Sequence, residues 1–297
     1  MRFVGFRDGR QIHVGVLTGD GRVAPLAEAG EFYEDLPAWT ARARELTGGE
    51  PGTRERALTG EEPAGREAAE LELSGLTPAP AVAGSARVIC VGLNYRAHAA
   101  EGGFPIPETP AIFGRWTASL AVDGTPVPVP PDEEGLDWEV ELVAVVGTEL
   151  RCVDEETALA GVFGYATFND LSARRAQRLT AQWTLGKNSD HSGPIGPVVT
   201  ADEVGDPAKG LRLVTRVNGE VVQDGDTSDM IFPVGRVLAH LSRTMTLRPG
   251  DLVATGTPAG VGYARTPARL LVPGDVVEVE IDRLGPVRNP IVAWPES

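Results

Sequence analysis

The stretch Asp137-Trp138-Glu139-Val140-Glu141 leads into an apolar run, Leu142 to Val146, that ends at Gly147. An all-apolar run of this kind reads as a strand covered on both faces, so the acids at its start need an explanation. Side chains alternate along a strand, which points Glu139 and Glu141 the same way, about 7 Å apart at roughly 3.3 Å per residue. Like charges so placed repel unless a cation lies between them. A third carboxylate, Asp170, closes another strand-like run, Ala166 to Asn169, just before a helical segment. Three hard oxygen donors suit Mg²⁺, Mn²⁺ or Ca²⁺. Zinc is disfavoured, because neither the cysteines nor paired histidines have ligand spacing. The competing reading of the Glu pair alone is a strand end that faces solvent.

Other groups could supply acid–base and anion-binding chemistry. His98 and Glu101 stand three apart in Tyr95-Arg96-Ala97-His98-Ala99-Ala100-Glu101. On a helical turn that spacing puts both on one face, where Glu101 can orient the imidazole and make it a general base near neutral pH. The plainer alternative is a satisfied surface histidine, the reading that His13 and His240 keep. Lys187, one of two lysines with Lys209, lies among apolar and small residues, and a partly buried ammonium needs an anionic partner. Arg174 and Gln177, also three apart, could hold a substrate carboxylate by forked hydrogen bonds, or could sit on an exposed helix.

The elements that must position these groups are mostly strands. An opening hairpin is expected from Arg2–Phe6 and Gln11–Val16, turning at Asp8-Gly9. From Ala41 to Leu73 the composition shifts to Ala, Glu and Arg broken by Gly and Pro, which predicts short surface helices. The Pro- and Ala-rich stretch from Thr77 to Gly84 reads as a linker, so a small N-terminal domain over residues 1–80 and a larger one over 81–297 are expected. In the second part, strands are predicted at Arg87–Gly92, Trp138–Gly147, Leu211–Val217, Asp251–Thr255 and Val276–Ile281. Asn218-Gly219 marks a hairpin, because both turn positions need positive φ. Helices are predicted at Glu155–Ala160, Ser172–Leu179 and Val234–Leu241, with Asp154 and Ser172 as caps. Many short strands with few long helices suggest a sandwich or barrel-like body.

Composition narrows the function class. In 297 residues, 42 acidic against 27 basic side chains give a net charge of −15, which argues against broad nucleic-acid binding. Two cysteines, Cys90 and Cys152, are too few for a disulfide framework and read as buried free thiols in a reducing cytoplasm. No apolar run is long enough to span a membrane, and the start MRFVGFRDGR lacks the apolar stretch of a secretory signal.

Taken together, six ordered segments resemble the fumarylacetoacetate hydrolase family: GLNYRAHAAE at 92–101, DWEVELVAVVG at 137–147, NDLSARRAQ at 169–177, WTLGK at 183–187, VNGE at 217–220 and PGDLVATGTPAGVG at 249–262. The resemblance covers roughly residues 87–292 and is weak before residue 80. It implies an α+β, mostly β fold, a mixed β-sandwich roll with a small α/β N-terminal domain, paired as a homodimer. It implies a metal triad at Glu139, Glu141 and Asp170 holding Mg²⁺, Mn²⁺ or Ca²⁺, and a catalytic dyad at His98 and Glu101. Lys187 would stabilise an oxyanion, and Arg174, Gln177 and Thr257 would grip an α-keto acid.

Within the family the chain looks most like the bacterial branch that cleaves 2,4-diketo-3-deoxy sugar acids. It departs from that branch at Phe113-Gly114-Arg115, which replaces Phe-x-Lys but keeps a cation, and at Lys187 to Ser192, which places His191 beside the expected pocket. The implied activity is metal-dependent hydrolysis of a carbon–carbon bond in a 2,4-dioxo acid, giving pyruvate and a carboxylic acid. Oxaloacetate decarboxylation, or isomerisation or hydration of a 2-oxo acid, would use the same site. A non-catalytic, metal-stabilised dimeric binding module is the alternative of a different class.

Overall fold

The computed structural model describes residues 1–48 and 71–295. Among them, eleven strands form the larger sheet. Its order is Leu71–Glu72, Arg22–Glu28, Gln11–Leu17, Arg2–Asp8, Val198–Thr200, Val162–Asn169, Val140–Val146, Leu252–Ala254, Val88–Gly92 and Ala111–Arg115, with Thr77–Ala79 added against Arg2–Asp8. A second sheet has five strands in the order Glu220–Asp226, Arg212–Val217, Val276–Ile281, Gly285–Ala293 and Val127–Val129. Both sheets are mixed: Leu252–Ala254 runs parallel to Val88–Gly92, and Gly285–Ala293 parallel to Val127–Val129. The fold is therefore mostly β with short helices, as the motifs imply.

The strand Val140–Val146 is buried along its whole length because both of its faces are covered. Val140, Leu142, Ala144 and Val146 pack with Leu213, Val279 and Ile281 of the second sheet and with Val237, Leu238 and Leu241 of the helix Val234–Ser242. Val143 and Val145, on the opposite face, pack with Phe3, Phe32 and Leu36 from the N-terminal segment. That is why the run carries no polar alternation after Glu141. The first strand also pairs directly with the body, Arg2 opposite Val199 and Phe3 opposite Val198, and the Phe3 ring lies 5.3 Å from that of Phe163. The segment ahead of residue 80 thus shares a sheet and a core with the residues that follow.

Turn chemistry places several of these elements. Gly9 adopts φ +61° in the opening hairpin, and Asn218 and Gly219 adopt +53° and +85° between Arg212–Val217 and Glu220–Asp226. Asp154 caps the helix Glu155–Ala160 by accepting the Thr157 N–H at 2.8 Å. Ser172 does not cap its helix, which spans Arg174–Arg178; its hydroxyl donates instead to the Asp170 carbonyl, 2.9 Å away. The reason is that Ser172 still belongs to the ladder, bridged to Asp137. Cys90 is buried, but Cys152 is exposed, because it sits in a turn at φ +53° rather than in a strand. The helical stretch expected after Ala41 is seen in Leu36–Gly48, and its continuation through residues 49–70 lies outside the described residues. No helix among the described residues is long and apolar enough to cross a membrane.

Candidate active site

Glu139, Glu141 and Asp170 meet because two neighbouring strands run antiparallel in one register. Glu141 stands opposite Phe168 and Val140 opposite Asn169, and the pairing continues past the strand end, where the Asp170 N–H donates to the Glu139 carbonyl at 2.9 Å. All three carboxylates therefore emerge on one face. They are 6%, 2% and 0% exposed, with one oxygen of each within 4.8 Å of the others. Among the described residues no other group of three His, Cys, Asp or Glu side chains converges in this way.

Buried cations hold the cluster together. Lys187, at the end of the short helix Thr184–Lys187, donates from Nζ to Glu139 Oε2 at 2.7 Å and to Asp170 Oδ2 at 2.6 Å. Arg174 donates from Nη2 to Glu139 Oε1, from Nε to Asp137 Oδ2 at 2.8 Å and from Nη1 to Gln177 Oε1 at 2.9 Å. Arg115, at the end of the edge strand Ala111–Arg115, donates from Nε to Asp170 Oδ1 and from Nη2 to the carbonyls of Leu171 and Ser192. Burial raises the Glu139 carboxyl, but Lys187 and Arg174 outweigh it and hold the group well below the usual range. Burial likewise disfavours the Lys187 ammonium, and Asp170 and Glu139 reverse this, keeping it charged.

Glu141 is different. Its Oε2 accepts only the Gly256 N–H, at 2.8 Å, and burial together with Asp170 and Glu139 pushes its carboxyl well above the usual range. Four buried carboxylates, Asp137, Glu139, Glu141 and Asp170, thus face three buried cations, Arg115, Arg174 and Lys187. The missing positive charge falls at Glu141, among oxygen donors only. That donor set and that charge deficit fit a hard divalent cation. The one thiol nearby, Cys90, is raised by burial, Asp170 and Glu141, so it is an inert core group and no soft ligand.

The acid–base pair is assembled as its spacing predicts. The helix Arg96–Glu101 presents His98 and Glu101 on one face, with His98 Nδ1 3.3 Å from Glu101 Oε2. Glu101 Oε1 accepts the Gly260 N–H at 2.9 Å. Burial raises the Glu101 carboxyl, and the bonds from His98 and Gly260 more than reverse it, leaving it below its ordinary value. His98 is 8% exposed.

The expected substrate grip is only partly gathered. Arg174 and Gln177 are hydrogen-bonded to each other, but the Arg174 fork is spent on Asp137 and Glu139. Thr257 is buried apart from them, its hydroxyl accepting from Gln223 Nε2 at 2.9 Å. His191 is exposed with Nδ1 3.0 Å from the Pro126 carbonyl, so the ring is directed there rather than at the carboxylates.

The structure adds groups that the motifs did not single out. Asp137 is fully buried and accepts from Arg174, from the Gly262 N–H at 2.6 Å and from the Tyr263 N–H at 3.2 Å. Its place two before Glu139 was the available signal, since alternation gives all three acids one face. Tyr263 lies under Arg174, 4.5 Å from guanidinium carbon to ring centre. Phe113 lies under Lys187, 5.3 Å from Nζ, with Trp183 edge-on to it. Nothing in the local spacing announces Tyr263, and Phe113 is marked only as part of Phe113-Gly114-Arg115.

Known proteins narrow what this arrangement belongs to. The family described as fumarylacetoacetate (FAA) hydrolase C-terminal matches residues 87–292. A mitochondrial oxaloacetate tautomerase of Xenopus laevis is 41% identical over 209 residues, 69% of this chain, and this chain covers 65% of that relative. The crystal structure of a fumarylpyruvate hydrolase from Pseudomonas aeruginosa in complex with Mn²⁺ and pyruvate is 34% identical, with a TM-score of 0.65 over 73% of this chain and 92% of that one. A 5-carboxymethyl-2-hydroxymuconate delta-isomerase from Mycobacterium smegmatis is 28% identical, with a TM-score of 0.74 over 99% of this chain and 100% of that one.

Proposed function

This chain belongs to the fumarylacetoacetate hydrolase family, and on that premise we propose that it hydrolyses a carbon–carbon bond in a 2,4-dioxo acid, an acylpyruvate or a 2,4-diketo-3-deoxy sugar acid, to pyruvate and a carboxylic acid. The observation that carries the reading is the buried triad with its charge deficit at Glu141, beside an ordered His98–Glu101 pair and a buried Lys187. Glu139, Glu141 and Asp170 would hold Mg²⁺ or Mn²⁺, which supplies Lewis acidity to the substrate's carboxylate and 2-oxo oxygen.

The chain's own groups perform the rest. Glu101 accepts from His98 Nδ1, which leaves Nε2 as the basic nitrogen. That nitrogen takes a proton from water as the water oxygen attacks the 4-oxo carbon. The Lys187 ammonium stabilises the oxyanion so formed. Collapse breaks the bond between the third and fourth carbons; its electron pair stays on the third carbon as pyruvate enolate, and the proton on His98 returns to that carbon. Arg174, Gln177 and Thr257 would orient the keto-acid end only where Arg174 turns from Asp137 and Glu139, and Thr257 from Gln223. Two copies of the chain would pair, since Ile112 and Trp116, exposed along the open edge of the larger sheet, offer apolar surface. A cytoplasmic setting suits its free thiols.

A second reading is favoured by the tautomerase and isomerase relatives: the same site would move a proton on a 2-oxo acid without attack by water; release of carbon dioxide from oxaloacetate would use the same carboxylates and metal. A pyruvate-release assay with Mg²⁺ or Mn²⁺ separates the two, run on acylpyruvates, diketo-deoxy sugar acids and oxaloacetate, with chelator and His98→Ala controls. Metal-dependent pyruvate from a dioxo acid, lost in the variant, supports hydrolysis. Pyruvate from oxaloacetate alone, or enol–keto conversion without pyruvate, replaces it with the second reading.

A further inference from the structure

The helix Arg96–Glu101 is well tied at its beginning. The Ala97 N–H donates to Asp229 Oδ2 at 2.9 Å, Arg96 donates to the Met230 carbonyl at 2.8 Å, and the buried Asn94 side chain bonds the backbone of Phe232 and Thr255. Its far end leads into Gly102 and Gly103, the latter at φ +68°, and then into Phe104 and Ile106, which are half exposed. Ala99 packs in the core, and beyond it the helix end is joined to the body by the bond from the Gly260 N–H to Glu101.

Gly260 is itself fixed on its other side. Its carbonyl accepts the indole N–H of Trp138 at 3.0 Å. Trp138 has no exposure and is enclosed by Leu136, Leu171, Val217 and Leu271, so the indole has no room to turn away. Gly260 adopts φ +101°, and a Cβ there would stand 2.4 Å from the Val222 carbonyl oxygen, so only glycine can carry the loop this close. Two and three residues on, the Gly262 and Tyr263 N–H groups dock on Asp137. The loop is therefore pinned to the two residues that immediately precede Glu139.

We infer that Trp138 is a positioning residue for the His98–Glu101 pair, acting through residue Gly260. Its N–H holds the Gly260 carbonyl and so fixes that residue in the loop; the N–H of Gly260, on the adjoining peptide plane, is thereby kept aimed at Glu101, and Glu101 in turn orients His98. Because the next residue along the strand is Glu139, this route fixes the acid–base pair relative to the carboxylate cluster. The inference deepens the acid–base role proposed above and rests on it.

The test replaces Trp138 with phenylalanine and, by site-specific incorporation, with β-(3-benzothienyl)alanine, which keeps the indole's shape and removes only its N–H. Amide hydrogen exchange, Mn²⁺ affinity, kcat and KM are measured on the full chain. In the isostere, the amides of Ala99 and Gly102 should exchange about tenfold faster, and kcat should fall about tenfold with KM and Mn²⁺ affinity little changed, the loss of one hydrogen bond to a fixed peptide. Exchange within Val140–Val146 should not change. If the phenylalanine variant fails to fold, the isostere decides. Wild-type exchange and kcat in the isostere would overturn the inference, as would losses that appear only together with lost Mn²⁺ affinity and global stability, since Trp138 would then be core filling. A wild-type chain that turns over no dioxo acid would sink the proposed reaction, while the exchange comparison would still decide the positioning role.

Discussion

Lys187→Met tests the charge balance on which the site depends. The ammonium is 2% exposed and bridges Glu139 and Asp170 at 2.7 and 2.6 Å, and methionine fills much of its volume without the charge. After the change Glu139 keeps Arg174 and Asp170 keeps Arg115, but the cluster has two buried cations for four carboxylates. Removing one partner of a buried ion pair costs about 3–5 kcal/mol. A chain of 297 residues unfolds with an entropy of about 0.6 kcal/mol per degree, so Tm in chelator should fall by about 5–8 °C. Mn²⁺ at about one hundred times its Kd should add about 2.7 kcal/mol, or about 4 °C, to the wild type. The variant should gain more, because the cation replaces a charge that the lysine no longer supplies. Turnover should drop by about 10²–10³, the loss of one oxyanion donor. Calorimetry with and without Mn²⁺, alongside the pyruvate assay, measures all of this. A variant as stable as wild type in chelator, with unchanged Mn²⁺ affinity, would refute the electrostatic account.

Glu141→Gln should stabilise the metal-free protein at alkaline pH and abolish its response to Mn²⁺. The Glu141 carboxyl is raised above its ordinary 4.5 in the fold, so its protonated form favours folding; that contribution is complete below 4.5 and is lost as pH rises through the higher folded value. Tm against pH in chelator should therefore decline for wild type over that window and decline less for the variant; parallel curves would contradict the assignment. His98→Ala should lower kcat by about 10²–10⁴ with Mn²⁺ affinity intact, whereas Glu141→Ala should lose both, and titration calorimetry separates the two. Gly219→Ala, at φ +85° with nothing within 4 Å, should cost about 1–2 kcal/mol of backbone strain and leave kcat unchanged, checked by urea melts.

Where the sequence spoke clearly, the physics was local. Val140–Val146 announced itself because burial on both faces removes polar alternation, Asn218-Gly219 because its turn demands positive φ, and His98 with Glu101 because three residues make nearly one helical turn. What stayed hidden depends on partners distant in the chain. Arg115 reaches Asp170 across 55 positions, Gln223 holds Thr257 across 34, and Arg2 pairs with Val199, far along the chain but on the neighbouring strand of the same sheet. No spacing rule covers such pairs, and Cys152 shows the same limit: an apolar neighbourhood in sequence became an exposed turn.

A rule of balance reaches further than spacing does. Acids at the start of a strand covered on both faces cannot stay charged alone, so buried cations must exist somewhere, and their number constrains the ligand. Three are present for four carboxylates, one short. A divalent cation at Glu139, Glu141 and Asp170 would reverse that deficit and leave one positive charge in excess. A ligand with a single carboxylate returns the site to neutrality, and a neutral polyol does not. The same ledger that calls for the metal therefore favours a monoanionic keto-acid group against it, while Arg174 and Lys187 stay bonded to Glu139 and Asp170 and hold the carboxylates in place.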